Sequence, residues 1–131
     1  MISDELKSKM INEALEARKN AYAPYSGFSV GAALLAKNGK IYAGSNFENV
    51  SFGAGVCAER VALGHALSFG EREFEAVCVC GKDSNITPCG ICRQSLSEFG
   101  DIEVICCNYD GTQIKSYMLH ELLPFAFSSI D

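Results

Sequence analysis

The chain has 131 residues, of which 48% are apolar and 21% charged, a size and balance typical of one globular domain, so we expect residues 1–131 to form a single catalytic or binding domain. No stretch approaches the ~18 to 20 apolar residues that a membrane-spanning helix needs, and residues 1–9 carry acids and lysines, so we expect a cytoplasmic protein with no membrane partner. The formal net charge is -5 without a cluster of Lys and Arg, which argues against binding to a nucleic acid polymer.

The first part of the chain predicts a helix followed by a β-hairpin. Apolar residues recur at helical spacing over residues 3–21, which indicates an amphipathic helix. Pro24 and Gly27 interrupt this pattern. Residues 28–36 then have the composition of a buried strand, and Asn38-Gly39 predicts a tight turn into a second strand over residues 41–47.

The remainder of the chain alternates predicted helices and strands. After a loop at residues 53–55, helical patterns cover residues 58–69 and 90–99, and strand patterns cover residues 74–81 and 102–108. Asp110-Gly111 predicts a turn into a weak last strand, and a short closing helix begins at residues 120–123. This order predicts an α/β fold in which helices sandwich a mixed sheet.

Seven cysteines are a high count for this length, and an odd number cannot pair completely. In a cytoplasmic protein they should stay reduced, so metal binding and simple burial are the alternatives to consider. Four of them lie within apolar strand segments, where a free cysteine usually behaves as a small buried hydrophobic residue. We expect this core role for Cys78, Cys80, Cys106 and Cys107.

The remaining cysteines belong to two motifs, CxE at residues 57–59 and PCxxC at residues 88–92, each at the start of a predicted helix. A single CxxC is compatible with a redox pair, half of a zinc site or chance, but the combination matches the signature of zinc deaminases in its three-cysteine form. Three thiolates leave one corner of a tetrahedral Zn²⁺ open for water, as a catalytic site requires. We therefore predict Cys57, Cys89 and Cys92 as ligands of one Zn²⁺.

Two charged residues next to Cys57 have predicted roles at this site. Glu59 is too near Cys57 to be a comfortable fourth ligand, but it is close enough for proton transfer to a water molecule at the metal. Arg60 offers a positive charge that offsets the excess negative charge of three thiolates. Without the motifs, both would be interpreted as solvated helix residues. His65 and His120 are expected to be structural or surface residues, because the ligand set is complete without them.

Over nearly its whole length the chain resembles the small homotetrameric cytidine deaminase family. The motifs that carry the resemblance are YAPYSGF (22–28), VGAA (30–33), NFEN (46–49), CAER (57–60), PCGICRQ (88–94) and ELLP (121–124). The resemblance implies a three-layer α/β/α sandwich with a mixed five-stranded sheet, a homotetramer, and zinc-dependent hydrolytic deamination of cytidine and 2′-deoxycytidine. The implied substrate is a small-molecule nucleoside.

The same resemblance implies residues that contact the substrate. Asn46 and Glu48 would hydrogen-bond the ribose hydroxyls, Phe28 would stack on the pyrimidine, and Ala58 would line the base site. Phe127 resembles a terminal aromatic residue that reaches into the active site of a neighbouring subunit. Taken without the resemblance, residues 46–49 are equally compatible with a surface turn, and Phe127 with a core or interface residue.

Several alternatives remain at the level of sequence. The segment 57–64 is also similar to blasticidin S deaminase, although Arg60 and the loop 46–49 follow the cytidine pattern. A zinc-stabilised binding module and a deaminase of polynucleotides are the other classes. Family members commonly have Tyr where Phe52 stands and Thr where Val61 stands, so a hydroxyl contact near the site or the subunit interface is missing here. The preference between cytidine and deoxycytidine stays open.

Overall fold

The computed structural model describes residues 1–130, and within them four α-helices, five strands and a short 3-10 turn follow one another along the chain. The elements are α1 (Asp4–Arg18), β1 (Gly31–Ala36), β2 (Ile41–Ser45), the 3-10 turn (Phe52–Ala54), α2 (Ala58–Ser68), β3 (Phe74–Cys80), α3 (Gly90–Ser97), β4 (Glu103–Cys107), β5 (Ile114–Met118) and α4 (Leu119–Leu122). None of the helices in this part of the chain has both the length and the apolar character needed to cross a bilayer.

The strands form one sheet in the order β2-β1-β3-β4-β5, counted over residues 1–130. Strand β1 pairs antiparallel with both β2 and β3, β3 pairs parallel with β4, and β5 closes the edge antiparallel to β4. A parallel pair within an otherwise antiparallel sheet requires a crossover, and α3 supplies it between β3 and β4. The expected mixed sheet is confirmed.

The sheet is covered on both faces. Alternate residues of the central strands, such as Ala33 and Leu35 of β1, pack under α1 against Met10 and Ala14. The intervening residues face the opposite side and form a second core cluster with the buried face of α2, including Ala58 and Ala62. All six residues of β1 are buried, as expected for a strand with helices on both sides. The arrangement is the expected α/β/α sandwich.

The ends of the elements differ from the sequence prediction where side chains replace backbone pairing. Helix α1 begins after Ser3, whose hydroxyl accepts the N–H of Leu6 at 3.2 Å. Strand β1 begins at Gly31 instead of residue 28, because the Asn46 amide accepts the N–H of Val30 and donates to the carbonyl of Phe28, both at 2.9 Å. Residues 28–30 therefore form an irregular segment in which the Asn46 side chain takes two of the backbone hydrogen bonds.

The burial expected for the four strand cysteines is confirmed, but the expectation that all of them stay reduced is wrong. Cys80 and Cys107 form a disulfide across the parallel strands β3 and β4, where they occupy paired positions with Cα atoms 4.7 Å apart. Cys78, whose Sγ lies 3.8 Å from that of Cys80, and Cys106 are buried free thiols as expected. The disulfide lies under α1 and consumes two sulfurs of the Cys78, Cys80 and Cys107 group, so this cluster offers no set of three thiolates.

The two histidines have the structural and surface roles expected for them. The ring of His65 bonds the carbonyl of Ala43 through Nδ1 at 3.0 Å and packs edge-on against Tyr42. His120 is exposed and pairs with Asp101, with 2.8 Å between Nδ1 and Oδ2. Neither histidine is a member of the three-cysteine group at the helix starts.

A glycine in β2 determines how closely α2 approaches the sheet. A Cβ added to Gly44 would lie 2.5 Å from the backbone nitrogen of Ala62 and 2.9 Å from the carbonyl oxygen of Ala58. We expect Gly44→Ala to lower the free energy of unfolding by about 2–3 kcal/mol, because the clash is with helix backbone that cannot rotate away. Urea unfolding at fixed protein concentration measures this change.

The matched control for this prediction is Gly64→Ala within α2 itself. Gly64 is exposed, and an added Cβ there meets no atom within 4 Å. The same substitution should therefore stabilise the protein, by about 0.5–1 kcal/mol, because alanine loses less backbone entropy in a helix. Equal effects of the two substitutions would contradict the close-contact role of Gly44.

Candidate metal centre

Three cysteines from two helix starts converge on one another. Cys57 is the N-cap of α2, Cys89 is the N-cap of α3, and Cys92 lies in the first turn of α3. Their sulfur atoms all lie within 4.8 Å of one another, with 3.7 Å between Cys57 and Cys89 and 3.5 Å between Cys89 and Cys92. Sulfurs on a tetrahedral Zn²⁺ at ~2.3 Å would be about 3.8 Å apart. The thiol trio Cys57, Cys89 and Cys92 therefore fits zinc without rearrangement of the helices.

The surroundings of the thiol trio favour negative charge on sulfur. The positive ends of two helix dipoles point at it, and an Arg60 guanidinium nitrogen lies 3.9 Å from the Cys57 sulfur. The pKa of the Cys57 thiol is lowered to about 5, mainly by its hydrogen bond with Cys92 and further by Arg60. The same bond and burial raise the pKa of Cys92, so the first negative charge of this pair resides on Cys57.

Glu59 is a buried carboxyl group beside the thiol trio. It lies in the first turn of α2, two residues after Cys57, and only 4% of its surface is exposed. Burial raises its pKa to about 7, and the negative charge of Cys57 adds to this effect. A carboxyl group with this pKa can both accept and donate a proton near neutral pH.

A cavity of about 190 Å³ opens next to Cys57 and Cys89. Its walls include four other residues that the sequence singled out as site residues, which are Phe28, Asn46, Ala58 and Glu59. The cavity thus brings together an aromatic ring, an amide, a buried acid and two thiols from segments that are remote in sequence.

Four residues of the cavity wall, which are Val30, Val79, Ile86 and Thr87, were not predicted as site residues. Ile86 and Thr87 directly precede the PCxxC motif, and this adjacency is a signal that could have identified them. The loop is held by Arg93, which donates to the carbonyl of Pro88 at 2.6 Å and to the Thr87 hydroxyl at 2.8 Å. Arg93 therefore supports one wall of the cavity, a role that the sequence analysis did not assign.

Asn46 lines this cavity, and Glu48 lines the adjoining space. A second cavity, of about 370 Å³, is lined by both residues together with Cys57 and Cys89. A third, of about 340 Å³, is lined by Glu48 with Tyr25, Ser26 and Phe52. The Asn46 amide already uses one N–H and one lone pair on backbone atoms, which leaves one donor and one acceptor. The predicted sugar contacts thus border the predicted base site.

Phe127 lies apart from the residues that line these three cavities. Its side chain is 68% exposed, and its carbonyl accepts a hydrogen bond from Gln94 at 2.9 Å, next to α3. Within one chain, the structure does not bring Phe127 to the thiol trio.

The chain is similar in sequence and in fold to known proteins. The family model described as "Cytidine and deoxycytidylate deaminase zinc-binding region" matches residues 4–108. A "Probable cytidine deaminase" of Dictyostelium discoideum is 47% identical, covering 100% of this chain and 89% of that protein. A "Cytidine deaminase" of Halalkalibacterium halodurans is 44% identical, covering 95% of this chain and 96% of that protein. The crystal structure of cytidine deaminase from Burkholderia pseudomallei superposes with a TM-score of 0.87 at 42% identity, covering 96% of this chain and 100% of that one.

Proposed function

The chain belongs to the cytidine and deoxycytidylate deaminase family with its zinc-binding region, and from this premise we propose that it deaminates cytidine and 2′-deoxycytidine. The products would be uridine or 2′-deoxyuridine and ammonia. The observation that carries the proposal is the single cavity in which the buried acid Glu59 lies beside Cys57, Cys89 and Phe28.

Zinc is the metal of this family, and we propose Cys57, Cys89 and Cys92 as its ligands. When bound, zinc supplies Lewis-acid activation of a water molecule for attack on the substrate. Arg60 is proposed to offset the surplus charge of the three thiolates, a role supported by its approach to the Cys57 sulfur.

Glu59 is proposed to carry the protons of the reaction. It would accept a proton from the attacking water and deliver one to the ring nitrogen next to the attacked carbon. It would then take the second proton of that water, from the oxygen now bonded to the carbon, and pass it to the amino group, which leaves as ammonia while the carbon keeps the oxygen. Its burial supports this role, because a desolvated carboxyl group exchanges protons readily near neutral pH.

The proposed contacts to the nucleoside follow the walls of the cavities. Phe28 would stack on the pyrimidine and Ala58 would border it, since both line the cavity next to Glu59. Asn46 and Glu48 would bind the ribose hydroxyls, because both line the adjoining cavity of about 370 Å³. Asn46 would use its free N–H and its free lone pair, and Glu48 would use its carboxylate.

The alternatives considered from the sequence are weaker. The relatives and structures described above are cytidine deaminases, which favours cytidine over blasticidin S as substrate. In a binding module whose zinc only stabilises the fold, the buried carboxyl group of Glu59 would have no function. The net charge of -5 disfavours a polynucleotide substrate.

The proposed activity is tested by following ultraviolet absorbance with cytidine, 2′-deoxycytidine, blasticidin S and a cytosine-containing oligonucleotide in parallel. Zinc content is assayed on the same preparation. We expect turnover of the two free nucleosides with about one zinc per chain, because three thiolates form one site. Turnover of blasticidin S alone, or of the oligonucleotide at a rate rivalling that of cytidine, would overturn the substrate assignment.

We further infer that residues 1–131 form one catalytic domain that assembles as a homotetramer, with Phe127 contributed to the site of a neighbouring subunit. Support comes from large apolar side chains that one chain leaves exposed, such as Phe52 (80%) and Phe127 (68%). Native mass spectrometry tests the assembly, and a species at the 14.1 kDa of a single chain would contradict it. A cytoplasmic location is also proposed. It is supported by the three proposed ligand thiols, which are free although Cys80 and Cys107 are paired, and cell fractionation tests it.

A further inference from the structure

The Glu48 carboxylate is held by two consecutive residues of the loop before β1. Its Oε1 accepts the backbone N–H groups of Tyr25 at 3.0 Å and Ser26 at 3.1 Å, and its Oε2 accepts the hydroxyl of Ser26. The backbone N–H of Glu48 in turn donates to the carbonyl of Tyr22 at 2.8 Å. Glu48 and this loop are therefore fixed relative to each other at both ends of the glutamate.

The Ser26 hydroxyl makes a second bond, in which its oxygen accepts the N–H of Phe28 at 3.0 Å. One hydroxyl group thus joins the residue proposed to stack on the pyrimidine to the residue proposed to bind the ribose. Gly27, which lies between Ser26 and Phe28, has a φ of +69°, a left-handed conformation that favours glycine.

Most of the acceptor sites on the Glu48 carboxylate are already occupied by bonds within the chain. A carboxylate has about four lone-pair sites, two on each oxygen. The backbone bonds occupy both sites of Oε1, and the Ser26 hydroxyl occupies one of the two on Oε2. A single acceptor site is left for a ligand, on the oxygen whose direction Ser26 determines.

We propose that Ser26 is a positioning residue that aims the free acceptor site of Glu48 at the sugar 3′-hydroxyl and so selects nucleosides that carry this group. The inference rests on the proposed function. The 3′-hydroxyl is the ring hydroxyl that cytidine and 2′-deoxycytidine share, so its recognition serves both substrates. The three bonds also lower the pKa of Glu48, with that of the Ser26 hydroxyl contributing most, which keeps the acceptor ionised.

The test compares 2′-deoxycytidine with 2′,3′-dideoxycytidine, which differ only in the 3′-hydroxyl, in the wild type and in Ser26→Ala. We expect the ratio of kcat/KM for 2′-deoxycytidine to kcat/KM for 2′,3′-dideoxycytidine to fall about tenfold in the variant. The reason is that the hydrogen bond from the 3′-hydroxyl to the ionised Glu48 carboxylate weakens when Ser26 no longer orients that carboxylate. The loss should come from KM for 2′-deoxycytidine, with kcat within about twofold, since the proton chemistry is assigned to Glu59.

Two variants separate positioning from a general effect on the loop. Ser26→Thr keeps the hydroxyl and should restore the ratio to within about twofold of the wild type. Ser29→Ala removes a hydroxyl three residues further on that makes no bond to Glu48 within residues 1–130, and it should leave the ratio unchanged. If Ser26→Ala does not fold, Ser26→Cys, with a weaker donor of similar size, should show the same selective loss at smaller amplitude.

An equal loss of kcat/KM for both nucleosides would overturn the proposal, because it would indicate a merely structural loop residue. An unchanged ratio in Ser26→Ala would overturn it as well. Wild-type protein that turns over neither nucleoside would instead refute the proposed function, so the two failures are distinguishable.

Discussion

Replacing Glu59 by glutamine should lower kcat for cytidine by about a hundredfold to ten-thousandfold, the usual contribution of a positioned acid or base. Glutamine keeps the size and shape of the side chain but cannot exchange protons. Zinc content should stay at the wild-type value, because the three proposed ligands are untouched. Steady-state kinetics, metal analysis and a thermal melt on the same preparation measure the three properties.

The control for this prediction is Glu13→Gln on α1, an exposed glutamate on the opposite face of the sheet. It removes the same charge without touching the cavity, and its kcat should equal that of the wild type. Near-normal turnover in Glu59→Gln would refute the proton-transfer role. A loss of activity accompanied by loss of zinc or of the folded state would assign Glu59 to structure instead.

Replacing Cys89 by serine should remove zinc and activity together. Two thiolates from different helices cannot bind the metal as tightly as three. Changes in residues that only contact the ligands already lower metal affinity by up to about a hundredfold, so we expect loss of a direct ligand to lower the zinc affinity by about a hundredfold or more. Cys89 is exposed, so the substitution has little packing cost and the result reports on the metal. Zinc per chain after dialysis and turnover of cytidine are the two measurements.

A second cysteine substitution shows whether the effect is specific to the thiol trio. Cys106→Ala shortens a buried side chain of β4 that is outside the trio. It should cost about 1 kcal/mol of stability and leave zinc bound. Full zinc occupancy with normal turnover in Cys89→Ser would contradict the proposed ligand set.

The positions of helices and strands were largely predictable from local pattern. The apolar periodicity of residues 3–21 anticipated α1, and the Asn38-Gly39 turn anticipated the β1–β2 pair. The start of β1 was not predictable. Residues 28–30 have strand composition, but the Asn46 side chain, 16 positions or more away, takes the hydrogen bonds that a ladder would make.

The pairing of cysteines was the clearest failure of local reasoning. Cys78 and Cys80 look alike in the sequence, since both belong to one apolar strand. Only the register of β3 against β4 places Cys80 opposite Cys107, whereas Cys78 faces Ile105. Composition and compartment cannot supply that register, because it depends on how the crossover through α3 packs.

Local sequence patterns indicate the chemistry of this protein, whereas contacts between remote segments set its geometry. Ligand type, ligand spacing and helix starts are local properties, so CxE with PCxxC predicts a zinc site at Cys57, Cys89 and Cys92 with Glu59 beside it. The approach of Cys57 to Cys89 across 32 positions and the Ser26–Glu48 bond across 22 are contacts between remote segments. Such contacts depend on the packing of whole layers, and the residues that make them carry no local signal of their partners.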